Sequence, residues 1–221
     1  MSRNDRGRFL GSAAPKVKIC GIADRQSLKE VIGLGVDAIG FVFYDASPRA
    51  VVGAQVKGWL EEMPPFIHTV GVFVDEKPAQ VKKVADLCGL SYVQLHGQET
   101  PEHCAELPRN RVIKAFRVKN GFDPGVVKPY VPHIAAVLLD SSTSGESFEW
   151  ARARKVRDAF PELPLILAGG ITADNVEEAI RQVQPYAIDV SSSVESAPGV
   201  KDPSKVLELV QRISTFPSPV H

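Results

Sequence analysis

From Val17 onward the chain alternates between two patterns. Short apolar runs rich in β-branched residues are followed by stretches with helical spacing, and turn residues separate the two. Eight runs read as strands: VKICGI, AIGFVF, TVGVFV, YVQLHG, VIKAFRV, AAVLLD, LILAGGI and AIDVSS. Each is nearly continuous in apolar residues, as expected of parallel strands covered on both faces. Between them RQSLKEVIGLG is an amphipathic helix with Gly35 as its C-cap, and PAQVKKVADLCGL runs from Pro78 to a stop at Gly89. TADNVEEAIRQV starts from Thr172 or Asp174, and DPSKVLELVQRI has Asp202 as N-cap with Pro203 at its first position. The fifth intervening segment, DPGVVKPYV, is interrupted by Pro124 and Pro129.

Eight strand–helix units in succession predict an α/β fold of the closed (β/α)8 TIM-barrel class in a single domain. The rival, an open doubly wound sheet, usually has fewer strands and a glycine fingerprint on its first turn. Here the glycine pair, Gly169-Gly170, follows the seventh run instead. Residues 16–213 are assigned to the barrel, 1–15 to a flexible polar arm and 214–221 to a frayed tail.

Charge narrows the function classes. Twenty-six basic side chains balance 26 acidic ones, which argues against nucleic-acid and membrane-surface partners. No apolar run approaches a membrane span, and the N-terminus lacks the apolar middle of a signal peptide. Three cysteines with no CxxC spacing suit neither a disulfide framework nor a zinc finger and point to a reducing cytoplasm. Cys88 and Cys104 fall in helical patterns and are assigned to packing.

In a barrel of this class reactive groups sit at the C-terminal ends of the strands. LAGGI and DVSSSVE, ending runs seven and eight, combine backbone-permissive glycines with a short helix start, a site for a phosphate built from main-chain N–H groups. Cys20 ends the first run. A free cysteine is commonly a small buried hydrophobe, but at a strand end it faces the barrel mouth. Asp140 ends the sixth run, where a carboxylate is costly to bury unless paired or used. It is either a loop aspartate or a proton donor facing Cys20 across the mouth. Arg49 either lies on the surface or holds a substrate carboxylate in its guanidinium fork. His96 reads as a hydrogen-bonded mouth residue without a titrating role, and Asp189 as a residue that positions polar ligand groups or orients another side chain.

The motifs KICGI, GFVF with SPR, VQLHG, VIKAFRV, LLD, LILAGGI, DVSSSVE and PGVKDP occur in this order from Val17 to Ile213. With them the chain resembles the phosphoribosylanthranilate isomerases of tryptophan biosynthesis. The resemblance implies an Amadori rearrangement of a phosphosugar without metal or organic cofactor, in a monomer or homodimer. It implies Asp140 as general acid and Cys20 as general base, with Arg49 at the anthranilate carboxylate, Gly169, Gly170, Ser191 and Ser192 at the phosphate, and Asp189 among the substrate-binding residues. Two departures stand out. The stretch SSTSGESFEW, Ser141 to Trp150, is shorter than the family's glycine-rich loop, and Ser193 stands where SSGVE has glycine. Serine there costs on the order of 1 kcal/mol if the position needs a positive φ.

Related phosphosugar barrels share the phosphate motif. The histidine-pathway isomerase has an aspartate where Cys20 stands, and a pentose-phosphate epimerase would want metal ligands. An indole-glycerol-phosphate synthase would want a lysine on an early strand, and Lys18 shares a strand face with Cys20. A non-catalytic phosphate binder is the alternative outside enzymes.

Overall fold

A computed structural model describes residues 14–119, 121–141 and 147–216. Eight parallel strands close into one barrel in chain order: β1 (Lys16–Cys20), β2 (Ala38–Val42), β3 (His68–Phe73), β4 (Tyr92–Leu95), β5 (Val112–Arg117), β6 (Ala136–Asp140), β7 (Leu165–Ala168) and β8 (Ala187–Val190). The barrel closes where β1 pairs with β8, placing Lys18 opposite Asp189. All eight apolar runs are therefore strands, and the chain is a (β/α)8 barrel.

Seven α-helices are described: α1 (Arg25–Ile32), α2 (Gly53–Leu60), α3 (Pro78–Cys88), α4 (Pro101–Ala105), α5 (Ser147–Ala159), α6 (Val176–Val183) and α7 (Pro203–Thr215). Between β5 and β6 the helix is replaced by 3-10 turns over Pro124–His133, because prolines at 129 and 132 remove the donors an α-helix needs. Two boundaries differ from expectation. The first helix ends at Ile32 with Gly33 as its cap, two residues before Gly35. The sixth starts after Asn175, whose side chain accepts from Thr172 N–H, rather than at Thr172 or Asp174. Helix α7 begins as expected, with Asp202 accepting from the N–H groups of Ser204 and Lys205, and runs on to Thr215. The arm before residue 14, loop residues 142–146 and the tail beyond 216 lie outside the described residues.

Strand alternation divides the core into two. Outward positions such as Ile19, Ile39, Phe41, Leu95, Leu139, Leu167 and Ile188 pack under the helices with Leu28, Val56, Val81 and Leu209. Inward positions include Val70, Ile113, Ala115, Leu138, Ile166 and Ala168. Lys18, Cys20, Gln94, Asp140 and Asp189 share the inward phase of their strands, so the barrel interior is polar toward its C-terminal end. Cys88 in α3 and Cys104 in α4 are buried in the helix layer, as expected for packing residues. No described helix is long and apolar enough to cross a membrane.

Candidate active site

The end of β1 carries the thiol. In the strand register Cys20 faces Gly40 of β2, and the missing Cβ of Gly40 makes room for it. A methyl group there would lie 2.7 Å from the Cys20 sulfur and 3.2 Å from Cε of Lys18. Gly21 follows with φ +79, a conformation few L side chains adopt, and turns the chain away from the mouth. A side chain at Gly21 would also strike Arg49, at 2.5 Å from its Cδ.

Lys18 is 3 % exposed inside the barrel and pairs with Asp189 at 2.8 Å. Asp189 therefore accepts from a lysine buried in the barrel interior. Burial opposes the charge on Lys18, but attraction to Asp189 and to the Cys20 sulfur holds its pKa above the ordinary value. Burial holds the Cys20 thiol above its ordinary pKa, although the charge of Lys18 and, more weakly, that of Lys201 pull it down.

Arg49, on the loop after β2, is clamped by Glu195. Its Nε and Nη2 donate to the two carboxylate oxygens at 2.7 and 2.6 Å. That takes one edge of the guanidinium fork, and the Nη1 edge is the one left for an incoming carboxylate. Glu195 also accepts from Lys201, whose ammonium donates to Ser191 O as well. The two belong to a small hairpin after β8, formed by β9 (Glu195–Ala197) and β10 (Val200–Lys201). Burial pushes Glu195 up, yet Arg49 and Lys201 together hold it below the usual carboxylate range.

On the opposite wall Asp140 ends β6, with His96 Nε2 at 3.3 Å from its Oδ2. The Nε2 amide of Gln94 lies 2.8 Å from His96 Nδ1. Gln94, His96 and Asp140 thus form one run of polar contacts linking β4 to the end of β6. Next along the chain Ser141 is 1 % exposed and donates to the carbonyls of Ala168 and Gly169, tying the end of β6 to that of β7.

Gly169 and Gly170 take φ +83 and +64. Beside them Ser191 donates to Cys20 O at 3.0 Å, and Ser192 opens a 3-10 turn over Ser192–Val194. Ser193 is not among the residues of positive φ, so serine in place of glycine carries no backbone cost there. The two walls share one electrostatic environment. Asp189 acts on Cys20, and His96 and Asp140 both act on Asp189.

Three features were not singled out from the sequence. Lys18 was weighed only as a synthase lysine. Glu195 and Lys201 stood only inside family motifs, and the Gln94–His96 pairing was not drawn. A charge inside an apolar strand run, as in VKIC, was the available signal for Lys18.

The family model described as N-(5'phosphoribosyl)anthranilate (PRA) isomerase matches residues 17–212. The N-(5'-phosphoribosyl)anthranilate isomerase of Geobacter sulfurreducens is 48% identical over 203 residues, 89% of this chain and 97% of the relative. A solved phosphoribosylanthranilate isomerase from Thermotoga maritima, described as dimeric and crystallised as monomers, superposes with TM-score 0.79 at 35% identity, covering 91% of this chain and 99% of the other. Another, in complex with reduced 1-(o-carboxyphenylamino)-1-deoxyribulose 5-phosphate, superposes with TM-score 0.77 at 36% identity, covering 90% and 98%. The thiol at the end of β1, the carboxylate at the end of β6 and the glycine pair after β7 all lie within the matched span, and the chain belongs to the N-(5'-phosphoribosyl)anthranilate isomerase family.

Proposed function

We propose that the protein converts N-(5'-phosphoribosyl)anthranilate to 1-(o-carboxyphenylamino)-1-deoxyribulose 5-phosphate, a step of tryptophan biosynthesis in the cytoplasm, with Asp140 as general acid and Cys20 as general base. Asp140 donates a proton to the ribose ring oxygen as the C1'–O bond breaks. The electron pair goes to oxygen, and the anilino nitrogen supplies the pair that makes the iminium. The Cys20 thiolate then takes the proton from C2'. The C–H electrons become the C1'=C2' bond of an enolamine, which tautomerises to the ketone.

Binding follows from the rest of the mouth. The N–H groups around Gly169-Gly170 and Ser191-Ser192 receive the phosphate, as backbone donors suit a dianion in a chain of zero net charge. The Nη1 edge of Arg49 meets the anthranilate carboxylate. What carries the reading is that two strand-end groups on the inward face of one barrel, a thiol on β1 and a carboxylate on β6, are each electrostatically coupled to Asp189 on β8.

The test follows the loss of fluorescence of the anthranilate substrate on adding protein. Cys20→Ser and Asp140→Asn should each lower kcat by about 10² or more with little change in ligand binding, because neither replacement moves the required proton. Near-normal turnover in either variant refutes the assignment. Arg49→Ala should mainly raise KM, and an effect confined to kcat counts against its role.

A homodimer is the assembly we infer. Phe66, on the loop before β3, is 98% exposed. It sits beside a cavity of about 490 Å³ at the N-terminal end of the barrel, lined by His68, Tyr92, Pro164 and Tyr186. A projecting apolar ring and an open hole on one face are self-complementary, which a two-fold pair requires. Light scattering should give a dimer that Phe66→Glu converts to monomer, and a monomeric wild type overturns this.

A further inference from the structure

Four charged groups are electrostatically coupled to the Cys20 sulfur: Lys18 on its own strand, Asp189 on β8, Arg49 on the loop after β2 and Lys201 on the hairpin. Of the three cations Lys18 is the nearest in kind. Its Cε and the Cys20 sulfur crowd one point above Gly40, at 3.2 and 2.7 Å. The other two cations are held by Glu195, at 2.6 Å from Arg49 and 2.8 Å from Lys201.

We propose that Lys18 is a positioning residue for the rearrangement: anchored by Asp189, its ammonium lies beside the Cys20 sulfur and eases formation of the thiolate that removes the C2' proton. The proposal rests on the assignment of Cys20 as the base.

The physical case begins with burial. A thiol enclosed by apolar walls resists ionisation, and a base must be ionised before it can act. Cys104 shows the strength of that effect, with burial pushing its thiol up to about 11 although Lys114 pulls the other way. Cys20 is 8% exposed and its thiol is likewise held up by burial, so ionising it calls for a compensating charge. Lys18 supplies one from inside the barrel, where solvent screens it little.

Asp189 makes the arrangement workable in both protonation states. While the sulfur is an anion, the ammonium lies between two anions. Once the sulfur has taken the C2' proton, the ammonium still has its 2.8 Å carboxylate and is not left as a lone buried charge. Lys18 therefore keeps its own protons throughout, and the only proton that moves at this wall passes from carbon to sulfur.

The test measures iodoacetamide alkylation of Cys20, read on its peptide by mass spectrometry from pH 6 to 10, beside the pH profile of kcat/KM. Lys18→Met should move the midpoint of both profiles up by at least about one pH unit, a tenfold loss at neutral pH that rising pH partly recovers. KM should change less than kcat. Lys18→Met leaves Asp189 buried without its partner, so the double variant Lys18→Met/Asp189→Asn is measured too. It removes one charge of each sign, and its midpoint should still lie above wild type because the lost cation acts on the sulfur more strongly than the lost carboxylate. Wild-type midpoints in a folded Lys18 variant, with activity lowered equally at every pH, would mean that Lys18 only supports the fold and would overturn the proposal. Activity surviving in Cys20→Ser would refute the base assignment alone, since the alkylation midpoints report the Lys18–Cys20 coupling independently of turnover.

Discussion

Gly40→Ala isolates the geometry of the base from its chemistry. The backbone of Gly40 is not in the left-handed region, so alanine meets no conformational strain there. The whole effect is steric. The new methyl lies 2.7 Å from the Cys20 sulfur, and ordinary contact begins near 3.4 Å, so the sulfur must retreat by about 0.7 Å. Retreat is hard on every side. The methyl is also 3.2 Å from Cys20 Cα, which is backbone, and 3.2 Å from Lys18 Cε, whose ammonium is fixed to Asp189. Overpacking of this kind costs about 1–3 kcal/mol of stability. Misplacing a reacting atom by about 1 Å can cost on the order of 10² in rate, so kcat should fall roughly 10- to 100-fold. KM should stay within about threefold, since phosphate and carboxylate contacts lie elsewhere. Steady-state decay of substrate fluorescence gives kcat and KM, and urea unfolding gives the stability. A folded Gly40→Ala enzyme with kcat within about twofold of wild type would refute the placement of the sulfur at the reacting carbon.

Glu195→Gln should destabilise the fold by about 3–5 kcal/mol in urea titrations, because Arg49 and Lys201 both lose a nearly buried partner, and KM should rise as Arg49 loosens; an unchanged urea midpoint contradicts this. Burial alone would push Glu99 up, but Lys114 and the backbone N–H of Asp75 hold it below the usual carboxylate range. A carboxyl whose folded pKa is depressed contributes stability that is complete above its unfolded value, about 4.3, and is lost as pH falls through the folded value. Urea midpoints measured from pH 6 to 3 should therefore fall less steeply in Glu99→Gln than in wild type, and parallel curves would exclude the linkage. Cys104, fully buried with its thiol at about 11, should resist iodoacetamide in the native protein at pH 8, and peptide mass spectrometry finding it labelled before unfolding would show that its burial is wrong.

The barrel was legible because parallel strands buried on both faces leave an apolar run that needs no partner to be recognised. Helices were read where an apolar stripe and a cap coincided, as at Pro78 and Asp202. Three were passed over for identifiable reasons. Helix α2 begins with Gly53 and contains Gly58, both poor helix formers, and buries only Val56. Helix α4 is five residues long, too short for a periodic signal, and α5 carries six charged residues among SFEWARARKVRDA. At the site, position along a strand was enough to nominate Cys20 and Asp140. Pairing was not legible, because the partners are far apart in sequence: Lys18 meets Asp189 across the closing seam of the barrel, and Arg49 meets Glu195 across 146 residues. Such contacts appear only when the sheet closes.

Three sets of buried charges stand near the C-terminal ends of the strands. Lys18 pairs with Asp189, and Glu195 holds Arg49 and Lys201. In the helix layer Lys114 donates to Glu99 and to the carbonyls of Leu95 and Gly97. Stability does not explain them, because apolar residues of equal volume are often as good or better in such places. Their positions suggest another reason. Glu99 also accepts from the N–H groups of Asp75 and Gly97, so it binds the loop after β3 to the residue that follows His96. The Glu195 set fixes Arg49 at the mouth, and the Lys18 set lies against the thiol. Each set holds one functional group by several directional bonds at once, which an apolar contact cannot do. An active site assembled from loops on separate strands needs that restraint, and the barrel supplies it with charges kept in balanced groups away from water.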